Sequence, residues 1–257
     1  MNGSIGIRPA PLSASVPNAL RVTPPPPPFF ARRIAFFEAE LAELRAYPRE
    51  RLAGIVTGIG FACDGCARCC TRQSNDHVFL LEEDADRLRE VAPDVLVPAP
   101  DPELADREGR LYVSGYALAT TENGDCVFLE NGRCRHYAAR PAICRVYPYM
   151  LHREPGADGR VDWRQLAGLG KHGEYDTAIP PEEAGRCADE TIAYEAAFLE
   201  QMIGFYRAAA DYFAANDLRH VQKVRDDRLR AHARGEPLEL LVYHRGRFEP
   251  CRVEPRG

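Results

Sequence analysis

Apolar residues near the start of the chain recur in alternating steps of four and three positions, the spacing of one helix face. The stripe is formed by Phe30, Ile34, Phe37, Leu41 and Leu44 and stops before Pro48. A second, shorter helix is predicted over 49–59, and Gly60 is expected to end it. A third is predicted over 82–91, because its first turn is acidic and Pro93 follows its end.

The last third of the chain has the longest helical pattern. One apolar face continues as far as Asn216 and is formed by Ile192, Ala196, Leu199, Ile203, Tyr206, Ala210 and Phe213. We expect this face to pack on the Phe30–Leu44 helix. A further helix is predicted over 217–234, ended by Gly235, and a closing strand over 238–243.

Strand patterns occupy the middle of the sequence. Strands are predicted over 77–81 and 111–120, and Asn131-Gly132 predicts a tight hairpin turn that would place Cys126 and Cys134 at matching ends. A second hairpin is predicted to join 149–153 to 160–163. The predicted fold class is therefore α+β: a small cysteine-rich metal-binding centre over 60–150, with short β-hairpins, wrapped by N- and C-terminal helices, the latter over 181–235.

Domain limits follow from the proline run that ends at Pro28. Residues 1–28 are interpreted as a disordered proline-rich tail, because prolines cannot donate backbone hydrogen bonds or continue a helix. Residues 29–257 are then predicted to form a single cysteine-cluster domain.

Composition indicates which partners and which compartment to expect for the protein. The 257 residues carry a net charge of −5, and no apolar run reaches the roughly 18 residues of a membrane span, so neither nucleic acid nor membrane is an expected partner. The N-terminal residues lack the features of a secretory signal, which predicts a cytoplasmic protein. There the nine cysteines would be free or metal-bound thiolates rather than lasting disulfides.

The sharpest motif is Cys63-x2-Cys66-x2-Cys69-Cys70. Soft metals prefer thiolate ligands, and cysteines two residues apart can turn back onto one centre. Ferredoxin-type iron–sulfur sites use such a run together with a remote cysteine. The side chains of adjacent Cys69 and Cys70 are expected to diverge, so they would serve two centres or two irons of one cluster.

Four more cysteines extend the predicted ligand set: Cys126, Cys134, Cys144 and Cys187. Eight thiols suit two four-thiolate sites, or one cluster with spare cysteines. Cys251 is predicted to lie in a polar tail after Pro250 and is treated as incidental. Arg140 and Arg145 bracket Cys144 and are the first candidates to contact the bound group, because clustered thiolates need nearby cations. His136 is the first alternate ligand to consider.

Four sequence segments together resemble a known family. They are Phe61-Ala-Cys-Asp-Gly-Cys-Ala-Arg-Cys-Cys, Gly124-Asp-Cys-Val-Phe-Leu, Cys134-Arg-His-Tyr and Arg140-Pro-Ala-Ile-Cys-Arg-Val-Tyr-Pro148. This pattern is similar to the YkgJ-type CxxCxxCC cysteine-cluster family, a zinc- or iron-chelating domain often labelled an iron–sulfur protein. The resemblance implies metal binding by Cys63, Cys66, Cys69, Cys70, Cys126, Cys134 and Cys144. It does not extend to Cys187, which rests on the ligand count.

Three functions remain open at this point. The favoured one is an iron–sulfur protein, with a 4Fe-4S cluster, acting in electron transfer or as an accessory to a larger enzyme with an unidentified redox or protein partner. The alternative is a zinc-binding module with structural four-cysteine sites. The third is a metal-dependent enzyme such as an iron–sulfur oxidoreductase component, although the sequence contains no independent catalytic motif.

Overall fold

The computed structural model describes residues 27–255 apart from 75, 156–160, 167–169 and 171, and for 151–155 and 161–166 it describes the backbone alone. The described chain forms two compact units. The first comprises 27–36, 98–116 and 202–255, and the second 37–97 and 117–201. The predicted tail over 1–28 lies outside the described residues except for its last two, and Pro28 already begins the first helix. The single domain over 29–257 stays a prediction.

Six helices are present in the described residues, and most follow the predicted patterns. Their bounds are α1 Pro28–Arg45, α2 Arg49–Ile59, α3 Glu82–Val91, α4 Ala142–Val146, α5 Pro181–Ala215 and α6 Gln222–Ala233. Helix α2 ends at Gly60, which adopts the left-handed conformation expected of a C-terminal glycine. Helix α6 begins five residues later than predicted, after a turn in which Asp217 has a positive φ of 50°.

The first unit is organised by a four-stranded sheet in the order β11-β10-β4-β3. Strand β10 (Leu238–His244) lies antiparallel to β11 (Arg247–Val253) and parallel to β4 (Leu111–Val113), which pairs with β3 (Leu104–Ala105). The prediction that the residues around Cys251 form a polar tail was therefore wrong, because pairing with β10 satisfies their backbone. As predicted, α1 packs on α5 in this unit, with the rings of Phe30 and Phe213 5.4 Å apart.

The second unit combines helices with three small sheets. Strands β1 (Phe79–Leu80), β5 (Tyr116–Leu118) and β2 (Leu96–Pro98) form one sheet in the order β1-β5-β2. The hairpins are β6 (Leu129–Glu130) with β7 (Arg133–Cys134) and β8 (Leu151–Pro155) with β9 (Val161–Leu166). The predicted continuous strand over 111–120 is divided between β4 and β5, and Ser114 and Gly115 separate the two.

The core of the second unit supports the cysteine-bearing segments directly. Leu81, Ala142, Val146 and Tyr194 form one buried cluster, with Ile143 and Met150 packed against it. Helix α4, which carries Cys144, is thus fixed on its inner side. The fold class is α+β, as predicted. Among the described residues, the helices are all too short or too polar to cross a membrane.

Candidate metal centre

The first cysteine-bearing segment is the loop of residues 63–70, here called the knuckle. It begins after Ala62, whose amide and carbonyl each form a 2.9 Å hydrogen bond with the backbone of Glu174. Gly65 (φ 71°) and Ala67 (φ 54°) are both in the left-handed region, so the chain reverses twice within a few residues. A 3₁₀ turn over Arg68–Cys70 follows, with the Cys70 amide donating to the Ala67 carbonyl at 2.8 Å.

Cys126 is attached to the knuckle through the backbone. Its amide donates to the carbonyl of Cys70 at 2.8 Å, and its chain neighbours continue this contact, with the Arg72 amide donating to Asp125 Oδ1 at 3.1 Å. Cys70 and Cys126 are 56 positions apart in the sequence. Two hydrogen bonds therefore define where the second cysteine segment meets the first.

The predicted Asn131-Gly132 hairpin is present. Both turn residues have positive φ, 49° and 73°, as the tight hairpin turn requires. The pairing differs from the predicted one, because Cys134 is paired with Leu129 rather than placed level with Cys126. A turn, in which the Leu129 amide donates to the Cys126 carbonyl at 2.9 Å, separates Cys126 from the strand.

Cys144 lies on the short helix α4, and a buried carboxylate on α3 holds the start of that helix. Asp84 Oδ2 accepts a hydrogen bond from the Ala142 amide at 2.9 Å, and Asp84 Oδ1 accepts one from Arg87 at 2.6 Å. The sequence predicts for Asp84 only a favourable charge in the first turn of its own helix. Its role toward α4 carries no local sequence signal, because donor and acceptor lie far apart in the chain.

These segments surround one cavity of about 1050 Å³, open solvent included. Seven of the predicted ligands line it: Cys63, Cys66, Cys69, Cys70, Cys126, Cys134 and Cys144. Cys187, on α5, does not line it, and neither does His136, whose ring packs on that of Phe128 at 4.4 Å. The structure therefore brings together the seven cysteines of the family motifs and leaves the eighth apart.

The seven thiols differ in exposure. Cys63 and Cys66, here called the outer thiols, are exposed to solvent. The remaining five, here called the inner thiols, are buried or half-buried and are Cys69, Cys70, Cys126, Cys134 and Cys144. Solvent therefore reaches the cavity along the edge formed by the outer thiols.

The inner thiols influence one another strongly. Burial, followed by the neighbouring Cys126 and Cys69, raises the pKa of Cys144 to about 12. Burial likewise raises the pKa of Cys126, with a further contribution from Cys134. A thiol is hard to ionise in such surroundings unless a cation balances the charge, and a metal ion supplies that balance by displacing the protons.

The adjacent pair Cys69 and Cys70 does not diverge as expected. The two side chains are hydrogen bonded to each other, which lowers the pKa of Cys69 to about 7 and raises that of Cys70. The pair therefore faces the cavity together. All nine cysteines of the chain are free thiols.

Arg140 is the cation that faces the thiols. It lines the cavity, and its Nε is buried with no hydrogen-bond partner among the described residues. Its guanidinium lies 4.1 Å from the centroid of the Tyr137 ring. Arg145, the other predicted cofactor contact, does not line the cavity; its Nη1 donates to the Arg140 carbonyl at 3.2 Å. Arg145 thus braces the Arg140 backbone from outside.

The spacing of the thiols bears on what they could hold. Within the described part of the chain, no three His, Cys, Asp or Glu side chains are spaced as ligands of one metal ion. All seven cysteines line the one cavity. The donor set is rich in soft sulfur, and the half-buried cation Arg140 lies on the same cavity, which suits a thiolate-bound metal centre.

Comparison with protein families agrees with the sequence motifs. Residues 62–167 match the model of the CxxCxxCC family, which is described as a "putative zinc- or iron-chelating domain". This segment, somewhat less than half of the chain, is therefore similar to the CxxCxxCC family. The matched range of the CxxCxxCC domain contains all seven cavity cysteines and ends before Cys187. Neither curated proteins nor solved structures gave a match to the chain.

The family match supports metal binding by this chain, and its description names zinc and iron alike. The residues that sequence reasoning missed are Asp84 and Tyr137, which act on the cavity through contacts with Ala142 and Arg140. Tyr137 ends the motif Cys134-Arg-His-Tyr, which is the one sequence signal for it. Nothing local in the sequence marks Asp84.

Proposed function

We propose that the CxxCxxCC domain holds an iron–sulfur cluster through its cysteine thiolates, and that the protein acts in electron transfer or as an accessory to a larger enzyme. The proposed ligands come from the seven cysteines that line the cavity. The observation that carries the proposal is the convergence of these thiols, from the knuckle, the hairpin region and α4, around one space.

The number of thiols favours a cluster over a single ion. A single zinc ion in a four-cysteine site takes four sulfurs about 2.3 Å from one point. Seven cysteines line this cavity, which is more than one such zinc ion would bind.

The surroundings of the cavity also fit a cluster. A cluster bound by thiolates is negatively charged and accepts hydrogen bonds at its sulfurs, and such bonds influence its reduction potential. Arg140 lines the cavity, and its buried Nε is a donor of the required kind without a partner among the described residues. An iron–sulfur cluster would supply a one-electron carrier when bound, and the exposed outer thiols would give a redox partner access to the site.

A zinc module is the second candidate, and one observation favours it. The segments around the cavity contain very short strands and 3₁₀ turns rather than long regular elements. Structural zinc sites commonly stabilise such loops. A zinc-bound chain would have no redox role, so the two candidates differ in a measurable way.

Anaerobic purification with iron, sulfide and zinc counted per chain tests the proposal. We expect a brown protein with iron and acid-labile sulfide in similar amounts, together with a visible absorption that bleaches on reduction. A colourless protein loaded with zinc would establish the second candidate. A chain that takes up neither metal, even after anaerobic reconstitution with iron and sulfide, would overturn both.

A further inference from the structure

The cavity offers seven thiols, a number that suits neither one four-ligand centre nor two. One such centre would leave thiols over, and two would need eight donors. The sequence predicts Cys187 as the eighth, but the structure places it on α5, where it does not line the cavity. If all seven thiols bind metal, the remaining donor must therefore be another side chain of the cavity wall.

Two histidines, His77 and His172, line the cavity in the described part of the chain, and they differ in burial. His77 is half-buried, whereas His172 is only 8% exposed. The ring of His172 stacks on that of Tyr147, with the centroids 5.2 Å apart and the planes within 7° of parallel. Because Tyr147 also lines the cavity, this stack presents the His172 imidazole at the cavity wall.

Backbone contacts fix the segment that carries His172 beside the start of the knuckle. Ala62 and Glu174 exchange two hydrogen bonds of 2.9 Å in an antiparallel bridge. Gly173 lies so close to Phe61 that a Cβ on it would overlap the ring. His172 is thus placed at the thiol-lined cavity by pairing between distant segments. It lies beyond residue 167, where the family match ends, so the matched domain does not include it.

We propose that His172 is a further ligand of the metal centre and binds through an imidazole nitrogen, which gives a mixed thiolate and imidazole donor set. The inference rests on the proposed metal binding and holds for iron or zinc, since imidazole binds both and accompanies thiolates in zinc and iron–sulfur sites. A neutral imidazole also adds no negative charge to crowded thiolates. No three donors of the described chain are already spaced for one ion, so side chains must turn toward it on binding.

The test detects the nitrogen directly, in full-length protein labelled with ¹⁵N-histidine and loaded with metal under anaerobic conditions. With an iron–sulfur cluster, pulsed electron paramagnetic resonance of the reduced protein should show the strong coupling of a bound nitrogen. With zinc, X-ray absorption should show a nitrogen at about 2.0–2.1 Å beside sulfurs at about 2.3 Å. His172→Phe keeps a ring against Tyr147 and removes both nitrogens, so this signal should be lost. His77→Phe, at the other cavity histidine, should keep it.

Chelator competition adds a second measurement. We expect His172→Phe to bind metal at least about tenfold more weakly than wild type, and His77→Phe to stay close to wild type. His172→Gln, which is smaller and polar, carries the same test if His172→Phe does not fold. A wild-type centre without a bound nitrogen, or a nitrogen signal that persists in the His172 variants, would overturn the inference while leaving metal binding intact. A wild-type chain that takes up no metal would instead refute the proposed function, and the inference with it.

Discussion

The carboxylate of Asp84 accepts a hydrogen bond from the backbone amide of Ala142, 58 positions further along the chain. The contact joins α3 to the first residue of α4, the helix that carries Cys144. The carboxylate is almost fully buried, and Arg87 is its second partner. Through this one bond, a helix with no cysteine fixes the position of a cavity thiol.

Removal of that acceptor should destabilise the protein and loosen the site. Asp84→Ala leaves the Ala142 amide unpaired and is expected to cost about 1–3 kcal/mol in the free energy of unfolding. Asp84→Asn retains an acceptor oxygen and should cost less. Denaturant unfolding of the two variants measures the difference, and identical midpoints for Asp84→Ala and wild type would show that the bond is unimportant.

Cavity and non-cavity cysteines should differ in their effect on metal content. Cys126→Ser and Cys144→Ser alter inner thiols, so each is expected to lower the metal bound per chain substantially. Cys187→Ser is the matched control, because Cys187 is half-buried but does not line the cavity. Metal analysis after anaerobic reconstitution compares them; a marked loss in Cys187→Ser would restore Cys187 to the ligand set.

Arg140 should influence the bound centre more than Arg145 does. Arg140→Gln removes the positive charge that faces the cavity, so the reduced and more negative state of an iron–sulfur cluster loses stabilisation. We expect a reduction potential lower by tens of millivolts in a spectroscopic redox titration. Arg145→Gln removes a guanidinium outside the cavity and should shift the potential less. Equal shifts would contradict this assignment.

Gly173 is expected to tolerate no side chain, because it lies against the residues that lead into the knuckle. A Cβ there would overlap Phe61 Cε2 and would approach the Ala62 carbonyl oxygen to 3.1 Å. Gly170 has a similar positive φ, 71° against 81°, but no described atom lies within 4 Å of a Cβ placed on it. Thermal unfolding should therefore show Gly173→Ala to be clearly less stable than Gly170→Ala. If both variants lost the same stability, the positive φ alone, and not the contact with Phe61, would explain the destabilisation.

Asp106 in the first unit should make stability depend on acid pH. It is fully buried and accepts hydrogen bonds from Tyr112 at 2.8 Å and from Arg110 at 2.7 Å. Burial alone would raise its pKa, but these hydrogen bonds outweigh burial, and the pKa lies below the usual 3.8. Because the folded-state pKa is depressed, this stabilisation is present above the usual pKa and is lost as the pH falls through the lower, folded-state value.

The corresponding variant is Asp106→Asn. At neutral pH it should be less stable than wild type by about 2 kcal/mol or more, since it loses hydrogen bonds to a charged group. The difference in the free energy of unfolding between Asp106→Asn and wild type should become smaller as the pH falls below 3.8. Asp101→Asn, at an exposed carboxylate in the same unit, is the control and should have the same free energy of unfolding as wild type. If the loss of stability in Asp106→Asn were unchanged at the lowest pH, the stabilisation would not come from the ionised Asp106 carboxylate.

The helices were the most predictable part of the fold. The bounds of α2 and α3 match the predicted ranges, because a capping glycine and an acidic first turn are local signals. Strand β11 was missed because its residues are polar and only half-buried, and what stabilises it is pairing with β10. Helix α4 was missed for a similar reason: its five residues are too few for a periodic pattern and depend on Asp84.

For the site, the sequence by itself determined the chemistry. Clustered cysteines in recurring short motifs indicate a soft metal wherever the chain places them, because ligand preference depends on the side chain. Only the tertiary structure decided which thiols share a cavity, that Cys187 lies apart, and that Arg140, Tyr137 and Asp84 support the others. Those relations join residues that are distant in sequence, and local patterns carry no record of how distant segments pack.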